Sequence, residues 1–160
     1  LTRLAQALPC LHGFVGTDFG DLYARARSLA ASDADLNQLN QVLSGLCMSN
    51  LMQGKADLAE DLVRELRDLS SVHRQDATLR WNAEMLSATV QYHQGDLVGT
   101  LDHLARGLTA APLAAPFGPI DPSISIRSFA AAAFWQAGRP AEGRQHVAAA
   151  VAGAASVHPL

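Results

Sequence analysis

The chain has 160 residues, with 12 Lys or Arg against 15 Asp or Glu and a formal net charge of −3; with no dense basic run, it lacks the phosphate-neutralising surface a direct nucleic-acid binder needs. No apolar stretch approaches the ~20 residues of a membrane span, and two cysteines, Cys10 and Cys47, neither build a disulfide framework nor have a second Cys or a His at metal-ligand spacing. Nearly half the residues are hydrophobic (49%), dominated by Ala and Leu, a bias that favours helix over strand.

In chain order, residues 1–11 and 19–31 read as a first helix pair joined through Gly13, Gly16 and Gly20, with Pro9 kinking or ending its first helix. Leu36, Leu39, Val42, Leu43, Leu46, Cys47 and Leu51 then recur at three and four, the spacing of one broad helical face. Gly54 ends that helix, and Asp57 is placed to cap the next. There Leu58, Leu62, Val63, Leu66 and Leu69 form the buried stripe, and Glu60, Arg64, Glu65 and Arg67 the wet side. Leu79, Ala83, Leu86, Val90 and Tyr92 lead to Gly95-Asp96, followed by Leu97, Leu101, Leu104 and Leu108, with Pro112 marking the end. Residues 110–121, rich in Pro and holding Phe117, read as an extended loop of the kind that often carries function. Asp121-Pro122 is a strong helix start, because Asp accepts from free backbone N–H groups and Pro is pre-set for the first turn. Phe129, Ala130, Ala133 and Phe134 face inward, and Gly138-Arg139-Pro140 turns the chain into a last helix over 141–152.

The turn glycines Gly54, Gly95 and Gly138 stand 41 and 43 residues apart. Such a period marks stacked helical hairpins, here about 1–31, 36–72, 76–110 and 122–155, within one helical-repeat domain spanning 1–160. Seven positions before each glycine stand Cys47, Ala88 and Ala131; five positions after stand Ala59, Thr100 and Gly143. All are small, as close helix crossing requires. This pattern resembles the tetratricopeptide repeat, with longer helices than its usual length of about 34 residues. Leu22-Tyr23-Ala24-Arg25-Ala26-Arg27, the hairpins at Gly54 and Gly95, and Asp121-Pro122-Ser123-Ile124 through Phe134-Trp135-Gln136-Ala137-Gly138-Arg139-Pro140 together resemble more closely the helical-repeat region of large bacterial signalling proteins. Those proteins join a P-loop ATPase to a winged-helix DNA-binding domain or to a class III adenylate cyclase. The resemblance implies an all-α, right-handed α-α superhelix (a tetratricopeptide-like solenoid) of about four hairpins, serving as a sensor or protein-interaction module in signal transduction or transcriptional regulation. A Walker-type loop is missing here, since no glycine is followed by Lys-Ser or Lys-Thr.

No arrangement of residues reads as catalytic. His73, His93 and His103 have no ligand partner at metal spacing; Asp57, Asp61 and Asp96 suit helix capping and solvation; Ser44-Gly45 and Ser70-Ser71 lack an oriented His. The expectation is therefore a non-enzyme without metal or cofactor. Arg64, Arg67, Arg74 and Arg80 read as a solvated face or as a seat for an acidic peptide, and Trp81 with Tyr92 and His93, or Phe117 with Trp135, as core or as an aromatic pocket. The binding candidates are Trp81, Glu84, Gln91, Arg127 and Gln136 on the first helices of the last two hairpins, with Phe117 in the loop. The expected partner is a protein, a peptide or another domain of the same chain, with neither nucleic acid nor membrane and with self-association possible; the alternative is a spacer or self-association module without a ligand. Lacking an initiator Met and a signal-peptide pattern at Leu1-Thr2-Arg3-Leu4, and with Val157-His158-Pro159-Leu160 resembling the approach to a further helix, the sequence reads as a cytoplasmic segment of a longer chain.

Overall fold

In a computed structural model of the chain, residues 36–110 and 121–157 are described. They form six α-helices and no strand: α1 (Leu36–Met52), α2 (Ala56–Val72), α3 (Ala77–Gln94), α4 (Leu97–Ala110), α5 (Pro122–Gln136) and α6 (Pro140–Val157). The helix pair expected within 1–31 and the Pro-rich loop with Pro112 and Phe117 lie outside the described residues. Two compact units divide the chain, Leu1–His73 with α1 and α2, and Arg74–Leu160 with α3 to α6.

The three turns are built alike. Gly54, Gly95 and Gly138 take left-handed φ values of 73°, 83° and 74°, where a Cβ would cost energy and glycine does not. Each glycine N–H reaches back to the carbonyl three residues earlier (Leu51, Tyr92, Trp135), and the next N–H (Lys55, Asp96, Arg139) reaches the carbonyl five earlier (Asn50, Gln91, Phe134) at 2.8–2.9 Å. This is the Schellman pattern, which satisfies the last carbonyls of a helix and reverses the chain. Helix starts are more varied. Asp76 accepts from Leu79 N–H at 2.9 Å, and Asp96 from Gly99 N–H at 3.0 Å. Asp121 accepts from Ser123 N–H at 2.7 Å and from the Ser123 hydroxyl at 2.6 Å; those bonds hold its carboxyl below the ordinary aspartate value. Asp57 departs from expectation. The cap position of α2 is Lys55, without a side-chain bond, and Asp57 sits inside the first turn, where the helix dipole rather than capping favours it.

Between turns, the paired small residues set how closely the helices cross. Cys47 Sγ donates to the Ala59 carbonyl at 3.7 Å, and burial pushes its thiol pKa up to about 12. Thr100 Oγ1 lies 3.5 Å from the Ala88 carbonyl while donating to the Asp96 carbonyl at 2.6 Å. A Cβ on Gly143 would come within 3.0 Å of the Ala131 carbonyl oxygen. The same register therefore recurs in all three hairpins, with the second helix laid on the first through groups too small to hold it away.

In the first unit α1 packs on α2 through Val42, Leu43, Cys47, Ala59, Leu62, Val63 and Leu66, all buried. Leu58, expected in that stripe, is half exposed, while its neighbour Ala59 is buried at the crossing with Cys47, where its small size places it. In the second unit Trp81, Ala88, Leu104, Ala110, Ile126, Ala130 and Ala133 form the core, with Tyr92, Phe129 and Phe134 packed around it. Ile126 carries α5 onto α4, its Cδ1 2.5 Å from where a Cβ of Gly107 would stand.

Asp121→Ala should lower stability by about 1 kcal/mol, the usual value of a lost N-cap, read as a shift in urea midpoint with unchanged slope. Gly143→Val, which drives side chain into a backbone carbonyl, should cost roughly 1–3 kcal/mol as overpacking. Gly153→Ala should be neutral or stabilising, because its Cβ meets Ile124 only at an ordinary 3.4 Å.

Candidate interaction face

The sequence candidates separate in space. Trp81 is 6% exposed and belongs to the core, its indole N–H buried with no hydrogen-bond partner. Gln91 turns its amide towards the first turn of α4, where its Oε1 would lie 2.4 Å from a Cβ on Gly99 and finds no hydrogen-bond partner. Arg127 acts on α6: His146 is held below the ordinary histidine value first by burial and then by the Arg127 charge, against an opposing contribution from Glu142. The His146 ring also stacks on Phe134 at 5.1 Å between centroids, and the Arg139 guanidinium lies 4.7 Å from the same ring. Phe117 lies outside the described residues.

Glu84 joins α3 to α4 through a charged cluster. Its Oε2 stands 2.6 Å from His103 Nδ1 and 3.0 Å from Arg106 Nε. Arg106 Nη2 also lies 2.8 Å from His103 Nδ1, but the two contacts of Nδ1 cannot both be hydrogen bonds. A carboxylate needs a donor, so Nδ1 carries the proton towards Glu84, and Arg106 then binds the carboxylate rather than the ring. Burial works to raise the Glu84 pKa; the hydrogen bonds from His103 and Arg106, with the Arg106 charge, outweigh it and hold the carboxyl below its ordinary value. His103 itself is buried. The cluster is a clasp between two helices of one hairpin, with both of its bonds to the carboxylate falling on Glu84 Oε2.

Gln136 has a different setting. On α5 the exposed residues are Ser128, Ala132, Trp135 and Gln136, spaced at three and four and therefore forming one face. Along the edge nearest α3, Gln136 Nε2 donates to the Tyr92 hydroxyl. Tyr92 in turn meets Phe129 edge-on at 5.1 Å and His93 at 5.9 Å. The first helices of the two hairpins are thus joined by an aromatic and amide contact, beside which Trp135 remains 63% exposed. The sequence puts Trp135 in an aromatic pocket with Phe117 or in the core, but the structure leaves it exposed. The signal that it is exposed was the polar and small set Ser128, Ala132 and Gln136 on its own face.

Among the described residues no group of three His, Cys, Asp or Glu is arranged to hold a metal ion, and no helix is long and apolar enough to cross a membrane. No family model, no curated protein and no solved structure matches the chain.

Glu84→Gln should destabilise the protein by about 1–2 kcal/mol at neutral pH, the scale of a charge-assisted hydrogen bond. Because the folded-state carboxyl is held low, its contribution is present above the unfolded value and lost as pH falls through the folded one. The gap between wild type and variant should therefore close as denaturation is followed from pH 7 into the acid range.

Proposed function

We propose that the chain is a non-catalytic, tetratricopeptide-like helical-repeat module that binds a protein or peptide partner, or another domain of its own chain, within a cytoplasmic bacterial signalling or transcriptional regulator. Three identical glycine turns and three small-residue crossings in one register support the repeat reading. The observation that carries the binding reading is Trp135, a large aromatic exposed beside Tyr92 and Gln136 on the first-helix face. Indole is costly to leave in water and is the side chain most enriched where partners anchor. Stacked hairpins also flex with little repacking, so a partner on this face can bias what lies at either end. A spacer that associates only with itself is the second reading, favoured by the exposed Val147 and Val151 on α6.

A random peptide library panned against the full chain tests the binding reading. Selected peptides should shield Trp135 from iodide quenching while buried Trp81 stays unchanged, and Trp135→Ala should weaken them about ten-fold, a loss of about 1.4 kcal/mol. Failure to select any peptide that protects Trp135 would leave the spacer; turnover of a substrate by the isolated chain would overturn both.

A further inference from the structure

Helix α6 meets α5 along Gly143, His146, Ala150 and Gly153, spaced at three and four on one side. Gly143 and Ala150 are buried, a Cβ on Gly143 would crowd the Ala131 carbonyl, and one on Gly153 would touch Ile124. Of these four residues, only His146 has a side chain larger than alanine, and only His146 can gain a proton. Its ring stacks on Phe134 of α5, with centroids 5.1 Å apart and planes 14° from parallel. Beyond small-group contact, the stripe therefore holds α5 through a single titratable ring.

The surroundings of that ring suit its neutral form. Nδ1 is buried without a hydrogen-bond partner. A neutral imidazole keeps that nitrogen bare by carrying its proton on Nε2, whereas the imidazolium would bury an N–H with no acceptor. Phe134 already has the Arg139 guanidinium 4.7 Å from its centroid, so a protonated His146 would set a second cation against the same ring. Arg127 adds a further positive charge from α5. Glu142 on α6 favours the charged form, but its carboxylate is held by Arg139, through Nε at 2.7 Å and through Nη2. Burial and the Arg127 charge outweigh Glu142 and hold the His146 pKa below the ordinary histidine value.

We infer that the His146–Phe134 stack is a proton-sensitive latch on the last hairpin: the neutral ring holds α6 against α5, and the protonated ring loosens it. Because the folded-state value is depressed, the latch contributes fully above the ordinary histidine value of about 6.5. That contribution is lost as pH falls below it towards the folded value. The latch operates whether or not the Trp135 face binds a partner.

Hydrogen exchange of the full chain, read by mass spectrometry, should reveal the loosening. His146→Phe keeps a stacking ring that cannot be protonated, and comparing it with wild type at each pH cancels the intrinsic exchange rates. Between about pH 8 and about pH 5, where histidine changes charge, the ratio of wild-type to variant exchange in α6 should rise several-fold. In α3 and α4 the same ratio should stay flat. Should His146→Phe disturb the fold, Arg127→Gln supplies the second reading. In that variant the His146 ring-proton titration, followed by NMR, should move to higher pH, and the acid loosening of α6 should shrink. A flat ratio in α6, a rise shared equally by α3 and α4, or a His146 titration left in place by Arg127→Gln would each overturn the inference.

Discussion

Close approach of two helices across a pair of small groups is the constraint on which the rest of this structure depends. At Cys47 and Ala59, Ala88 and Thr100, and Ala131 and Gly143, one helix is laid almost directly on the backbone of another. Within each hairpin the left-handed glycine turn brings the two helices together by reversing the chain tightly and bonding the terminal carbonyls back into the helix end. The larger side chains then divide to either side of the crossing, some towards the partner helix and some towards the neighbouring hairpin. In the second unit this division yields one core, closed by Ile126 over Gly107.

The same division explains how polar residues are used. Glu84 and Gln91 lie on the side of α3 turned to its own hairpin partner, so their polar ends are spent on α4: Glu84 in the clasp with His103 and Arg106, and Gln91 at the first turn. Tyr92 lies on the other side and reaches α5. A difference of one residue turns a side chain by about 100° around the helix, enough to exchange an internal clasp for a surface contact. Beside this Tyr92–Gln136 contact Trp135 stays exposed.

Much of the local structure was legible in the chain. The helix extents around Gly54, Gly95 and Gly138, the Asp121-Pro122 start and the three small pairs follow from backbone chemistry at single positions: a glycine free to take positive φ, a carboxylate able to accept N–H bonds, a side chain too small to block a neighbour. Asp57 and Leu58 show the margin. Asp57 lies two positions inside the helix start at Lys55, whose side chain makes no cap bond, and Leu58 lies half exposed on the flank of the stripe, because periodicity places a stripe without fixing its edges to the nearest residue.

The candidate site was far less legible. Helix α3 is buried almost all round from Leu79 to Val90, so its amphipathic pattern carries little information about which polar residue faces a partner and which a neighbouring helix. Trp81 and Trp135 are alike in composition terms, yet one completes a core and the other stands in solvent. By itself, the sequence determined that the chain is helical, where its helices reverse and where they cross, since those depend on propensity and backbone geometry within a few residues. Only the tertiary structure decided which sides of the helices are covered, because that depends on what another hairpin, distant in the chain, brings against them.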